Sequence, residues 1–291
     1  MSRFGDAMKG NWRRVLSHIG VPASVLNGKN QECPFCEKKD GFRFTNHNDA
    51  GCWICSGCNP NAEDGLVFLM KWSNLSKRDA MKKCEEVMPS AKEVREPVRR
   101  DLRPEAQRRW REARRVETGD PVWRYLKNRG VLPPLPFPGQ IKHENRGGEH
   151  AMLACISDKH GRGQTIHITA ITSDGNKADV TVQKRVLSEM GEAPRIELYR
   201  ATDILCVAEG IETALAVRKL TGLPVWSLIS TAGFKNFEPP PGLKRLEIYG
   251  DNDKSFAGQS AAYQLAERMS RILDVSVHIP EEAGTDWADH V

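Results

Sequence analysis

The sequence predicts an α/β core built on a parallel sheet, preceded by a mixed α+β subdomain and a small β module that carries cysteines. Three observations point there. From residue 203 onward, short apolar runs alternate with helical stretches, the pattern of parallel strands joined by crossover helices. Between 150 and 200, segments such as "AMLACIS", "QTIHITAIT" and "ADVTVQK" alternate with period two around a "SDGNK" turn. Near the N-terminus, two C-x-x-C pairs bracket short strand-like segments.

Taken in order, residues 1–27 read as a short helical opening, "NWRRVLSHIGVPASVLNG". The cysteine block 28–70 runs into one amphipathic helix near 64–88, so 1–88 form the first domain. Residues 89–103, "PSAKEVREPVRRDLR", have two prolines and no apolar period, and read as a linker. Residues 104–130 resume as helix, with Trp110, Ala113, Val122, Tyr125 and Leu126 as its buried candidates. "VLPPLPFPG" ends that helix, because proline removes a donor and restricts the residue before it. The second domain therefore spans 104–200, helical and then β-rich. The third spans 201–291.

With 39% hydrophobic and 28% charged residues over 291 positions, the chain can bury more than one core, which excludes wholesale disorder. No apolar run approaches the ~18 residues of a membrane span. Arg3, Lys9, Arg13 and Arg14 lead into no apolar segment, so no secretory signal is read, and a cytoplasmic location without membrane partners is expected. In that reducing compartment eight cysteines point to metal or core packing rather than disulfides. The net charge of +5 is uneven: residues 95–130 hold 12 Lys/Arg against 6 Asp/Glu, and 131–291 hold 17 against 21. A basic middle and an acidic back suit a grip on a phosphate backbone with metals held elsewhere. A linker that is merely solvated accounts for the charge equally well.

Cys33-Pro-Phe-Cys36 and Cys55-Ser-Gly-Cys58, with 18 residues between the pairs, match a tetrahedral structural zinc site. A module this small needs the metal for its folding energy. Cys52 is a competitor, but only Cys55 makes the two-residue spacing to Cys58, and His47 reads as a loop residue. Between the pairs, alternation puts Phe42 and Phe44 on one face as core and turns Arg43 outward; Trp53 is undecided between core and surface.

The back of the chain carries four carboxylates, three of them at strand ends. Glu209 follows the run Ile204–Ala208, Asp251 and Asp253 follow Leu246–Tyr249, and Asp286 lies in "GTDWAD". Gly210 and Gly250 allow sharp turns beside them. Such a set suits a hard divalent cation shared with substrate phosphates. Glu212, one helical turn beyond Glu209, reads as a capping or solvent-facing residue. No G-x-x-x-x-G-K-[ST] occurs, so no phosphate loop for a nucleotide-driven motor is expected.

"CPFCEKKDGFRFTN…GCWICSGCNPNAEDGLVFLMKW" resembles the zinc ribbon of phage, plasmid and bacterial DNA primases. "VAEGIETALAV", "YGDNDKSFAGQSAA" and "GTDWAD" look like the three parts of a TOPRIM catalytic domain, a Rossmann-like α/β fold, and "HAMLACISDKHGRGQTIHITAITSDGNKA" is similar to the segment before it in the phage and plasmid branch. The order of these parts over nearly the whole chain makes the resemblance specific. It implies Glu209 as metal ligand or general base, and Asp251 and Asp253 as magnesium or manganese ligands. Asp286 is the later acidic ligand, with Thr285 where the family has lysine and Asp289 as an alternative. It offers Lys254, Lys184 and Arg185 for phosphate contacts, and Arg43 and Trp53 for the template. The implied activity is synthesis of short RNA primers on single-stranded DNA from ribonucleoside triphosphates, with one structural zinc and catalytic magnesium. A replicative helicase would act in trans, or this is the primase half of a longer protein. The alternatives are a TOPRIM nuclease and a non-catalytic, zinc-dependent single-strand-binding protein.

Overall fold

A computed structural model describes residues 3–88 and 101–291. They fall into two compact units that divide at residue 100. Most of the expected linker, residues 89–100, lies outside the described residues.

In the first unit α1 (Arg3–Met8) and α2 (Trp12–His18) precede a three-stranded antiparallel sheet of β1 (Phe42–Phe44), β2 (Trp53–Cys55) and β3 (Ala62–Glu63), ordered β1-β2-β3. Phe42 and Phe44 are buried and Arg43 exposed, as alternation requires. Helices α3 (Gly65–Ser73) and α4 (Lys77–Val87) replace the single helix expected over 64–88. The break is local chemistry. Asn74 turns left-handed (φ 49°) to end α3, and the Ser76 side chain accepts from Asp79 N to start α4. Asp64 caps α3 by accepting from Leu66 N and Val67 N. Trp12, Leu16, Phe42, Phe44, Trp53 and Phe68 build the core.

The second unit opens with α5 (Arg103–Glu112), β4 (Arg114–Arg115) and α6 (Pro121–Asn128), not one continuous helix. Ala113 is extended (ψ 144°), and Asp120 with Pro121 behind it makes a fresh helix start by accepting from Trp123 N. Strands β5 (Ile141–Arg146), β6 (Glu149–Ser157), β7 (Gly163–Ile171) and β8 (Lys184–Val186) join β4 in an antiparallel sheet ordered β4-β5-β6-β7-β8. Strand β5 lies ahead of the β region expected from 150. It enters β6 through Gly147 and Gly148, both at positive φ, a two-residue hairpin that their sequence announces. Arg109 Nε donates to Glu144 Oε1 at 2.8 Å and its Nη2 donates to Oε2, a buried two-pronged pair that fixes α5 on this sheet.

Beyond it run β9 (Ile204–Ala208), α7 (Ile211–Thr221), β10 (Val225–Ser227), α8 (Thr231–Asn236), β11 (Arg245–Tyr249), α9 (Ala257–Met269) and β12 (Asp274–His278), closed by a 3₁₀ turn at Trp287–His290. The four strands are parallel in the order β10-β9-β11-β12. This is the α/β core that the apolar runs predict. One hydrophobic cluster joins Tyr125, Leu126, Met152 and Ile196 to Ala208 and Leu215, so the two sheets share a core. Among the described residues no helix is long and apolar enough to cross a membrane.

Candidate metal and nucleotide site

The Sγ atoms of Cys33, Cys36, Cys55 and Cys58 all lie within 4.8 Å of one another. Cys33 and Cys58 are 3.7 Å apart, Cys36 and Cys55 3.6 Å. Four sulfurs at ~2.3 Å from a tetrahedral zinc stand ~3.8 Å from each other, so the quartet fits a structural zinc. Phe35 N donates to Cys33 Sγ and Gly57 N to Cys55 Sγ, the knuckle contacts that spread thiolate charge. A Cβ at Gly57 would lie 3.0 Å from Cys36 Sγ and 2.8 Å from Lys38 Cδ, so a larger residue in the second knuckle would crowd the quartet. Cys52 stands outside the quartet; its carbonyl accepts from Thr45 N and Asn46 N.

Arg43 is exposed on β1. Trp53 corrects the expectation that it contacts template. Its ring is fully buried among Phe35, Phe42 and Phe68, with centroids 5.2, 5.8 and 6.3 Å away, and a ring without an exposed face has nothing to stack on.

At the other end, parallel register pairs Tyr249 of β11 with Ala208 of β9, so the chains that leave these strands run side by side as Glu209 and Gly250-Asp251. A Cβ at Gly250 would lie 2.7 Å from Ile279 Cδ1 and 2.9 Å from Ala262 Cβ, which reserves the turn for glycine. Asp253 Oδ2 accepts from Gly258 N at 2.9 Å and so ties the loop to the first turn of α9. Asn252 fastens the same loop to the last segment: its N donates to Thr285 O, its Nδ2 to Pro280 O, and its carbonyl accepts from Gly284 N. Asp286 follows directly, its Oδ1 accepting from Ala288 N while Asp289 accepts from Asp286 N.

Glu209, Asp251 and Asp286 line a cavity of about 300 Å³, and Arg129, Lys177 and Lys184 line it too. Burial, then the Asp253 charge, push the Glu209 carboxyl up to about 7. Burial, then Glu209 and the other acids nearby, push Asp251 up to about 7. Asp286 is raised as well, first by burial. Asp251 Oδ1 is buried with no hydrogen-bond partner. Like charges drawn together with an unpaired oxygen suit a divalent cation, which takes oxygen donors and leaves places for water and phosphate. Among the described residues the cysteine quartet is the one group whose ligand atoms all lie within 4.8 Å of one another; the carboxylates do not form such a group.

The basic candidates separate. Lys184 reaches the cavity, its Nζ 2.9 Å from Glu212 Oε1. Arg185, the next residue on β8, is exposed and does not line it, and the exposed Lys254 instead lies across Gly284. Glu212 corrects the expectation of a capping or solvent-facing residue. It is only 6% exposed and accepts from Tyr125 Oη at 2.7 Å besides Lys184. Burial works to raise its carboxyl, but the Lys184 ammonium and the Tyr125 hydroxyl outweigh it and hold the group below the usual carboxylate range. Arg129, His167 and Lys177 line the cavity without having been singled out in the sequence. Burial pulls the His167 ring down to about 4 and keeps it neutral. The signal for Arg129 was its place at the C-cap of α6, just before Gly130. For His167 and Lys177, nothing in the sequence sets them apart.

Residues 204–291 match the Toprim domain, residues 100–195 a domain of unknown function (DUF7146), and residues 28–66 the zinc-binding domain of primase-helicase. Among solved structures, the chain is similar to the zinc-binding and RNA polymerase domains of the Aquifex aeolicus primase: 16% identity over 99% of this chain and 82% of that one, TM-score 0.41. It is similar to the primase fragment of the bacteriophage T7 primase-helicase protein, at 14% identity over 89% of this chain and 92% of that one, TM-score 0.40. It also resembles a DNA primase domain from Pseudomonas aeruginosa, at 14% identity over 65% and 73%, TM-score 0.41.

Proposed function

Because the chain is of the primase type, with a zinc ribbon ahead of a Toprim domain, we propose that it synthesises short RNA primers on single-stranded DNA. The observation that carries the reading is the cavity that brings Glu209, Asp251 and Asp286 together with Arg129 and Lys184. Acids on strand ends suit a metal; cations beside them suit the phosphates that the metal would share.

In the proposed reaction the 3′-hydroxyl of one ribonucleotide attacks the α-phosphorus of a ribonucleoside triphosphate. The new O–P bond forms, the bond to the β-phosphate oxygen breaks, and pyrophosphate leaves. Glu209, Asp251, Asp253 and Asp286 are the residues that would hold magnesium or manganese, which when bound supplies positive charge for the developing oxyanions. In the alternative assignment Glu209 takes the hydroxyl proton and the three aspartates hold the cation. Asp253 shapes the loop through Gly258, and Lys184 and Arg129 meet the phosphates. Little covalent work is asked of the protein beyond this placement. The zinc ribbon contributes template binding, with Arg43 on its exposed face. The setting we propose is phage, plasmid or bacterial replication, with a replicative helicase in trans.

The test is incubation of the protein with single-stranded templates of varied sequence, labelled ribonucleotides and magnesium or manganese. Short labelled oligoribonucleotides that disappear with Asp251→Ala support the reading. Template degradation would point to a nuclease, and binding without either product to a non-catalytic module.

A further inference from the structure

Glu212 is absent from the sequence expectation for the site, yet it sits at the junction of three chain segments. It comes from the first turn of α7, and its two partners come from far earlier: Tyr125 from α6 and Lys184 from β8. Lys184 stands on a three-residue strand at the sheet edge, its side chain 43% exposed. A lysine there has four free torsions and would sample many positions, and fixing it costs side-chain entropy. The buried carboxylate holds that ammonium against the cavity wall that also carries Glu209 and Asp251.

An ammonium has three N–H donors, and one of them points to Glu212 Oε1. The remaining two are left for oxygens inside the cavity. We infer that Glu212 is a positioning residue that aims Lys184 at the terminal phosphates of the incoming nucleotide. This inference rests on the proposed nucleotidyl-transfer reading. It goes beyond it by assigning Glu212, which touches no substrate, a role carried entirely through Lys184. The Tyr125 hydroxyl donates to the same oxygen, Oε1, at 2.7 Å, so that one oxygen is held by both partners and Glu212 is kept from turning toward the metal-suited acids.

The test is a double-mutant cycle on the full chain, read by calorimetric binding of inorganic tripolyphosphate with magnesium. Glu212→Gln keeps shape and an acceptor for Tyr125 but removes the charge that holds Lys184. It should weaken tripolyphosphate binding about tenfold, Lys184→Gln should do the same, and the double variant should lose no more than either alone. Unchanged binding by E212Q, losses that multiply in the double variant, or no binding by the wild type would each overturn the inference. If E212Q does not fold, as judged by its melting curve, Glu212→Asp serves in the cycle, since it keeps the charge and withdraws it from Lys184.

A second arm uses a single-stranded deoxyoligonucleotide in place of tripolyphosphate. Loss in that arm only would reassign Lys184 to the template backbone and overturn the proposal. In primer synthesis, E212Q should raise the KM for nucleotide several-fold and leave kcat nearly unchanged. Primer synthesis by the wild type with an unchanged KM in E212Q would sink the inference while the functional reading stands. Absence of primer synthesis with an intact tripolyphosphate cycle would do the reverse.

Discussion

Tyr249 and Ala208 are register partners in the parallel sheet, and through that pairing two carboxylates 42 positions apart in sequence leave adjacent strands on the same edge. Burial raises both carboxyls, and like charge adds to it: Asp253 acts on Glu209, and Glu209 acts on Asp251. The fold holds these groups where their charges are unfavourable to one another, and perturbed groups of this kind gather at functional sites.

Removing one of them therefore separates activity from stability. Asp251→Asn should lower primer synthesis roughly 10²–10³-fold, the range for loss of one preorganised charge at a reacting centre. In chelator near pH 8 the same variant should melt higher than the wild type, since an amide carries no charge to repel Glu209. At roughly 2–4 °C per kcal/mol, scanning calorimetry resolves the change. A variant that melted lower would contradict the repulsion.

The pH dependence has a definite sign. Glu209 and Asp251 have folded values of about 7 against ordinary values of 4.5 and 3.8. The native state thus holds more protons than the unfolded chain between about 4 and 7, and without metal its stability falls as pH rises through that window. Below it the effect vanishes, and above it the penalty is complete. Protons and cation compete for the same oxygens, so magnesium affinity should rise with pH and level off above about 7. Melting curves from pH 5 to 8, with chelator and with magnesium, check both halves.

Zinc should behave as part of the first unit alone. Elemental analysis of freshly purified protein should give one zinc per chain. Cys55→Ser should lose it together with the ordered structure of residues 28–66, while the transition of the second unit stays in place. Protein purified without zinc, or a C55S variant that keeps it, would count against the quartet.

The Arg109–Glu144 pair is buried, with side chains 4% and 9% exposed. Arg109→Met leaves a buried carboxylate unpaired and should destabilise by about 3–5 kcal/mol in urea unfolding. Adding Glu144→Leu should recover most of that loss, because two apolar side chains replace two charges. A double variant no more stable than R109M would show that the pair does more than compensate itself.

What was legible in the sequence was local. The apolar run before Glu209 and the one before Asp251 are strands because their residues are buried on both faces, and two C-x-x-C pairs carry their own geometry. The break at Asn74 was also local, a left-handed cap followed by Ser76-x-x-Asp79, but the surrounding apolar period masks it. Glu212 was not legible. Its i+3 offset from Glu209 says helix, and its burial depends on Tyr125 and Lys184, which no short window contains. Trp53 failed for the same reason, since the residue that closes over it, Phe68, belongs to a helix beyond the ribbon.

Asn252, the uncharged residue between the two aspartates, works as a ruler. Its amide and carboxamide grip Thr285 and Pro280, and its carbonyl takes the Gly284 amide. The thirty-odd residues between them, a helix and a strand, span a gap whose two ends are already pinned together. Changes in that span can be absorbed where they arise, so Asp286 keeps its distance from Asp251 whatever the surface of α9 becomes. A substitution at Asn252 has no such buffer, and would move one acid relative to another without touching either.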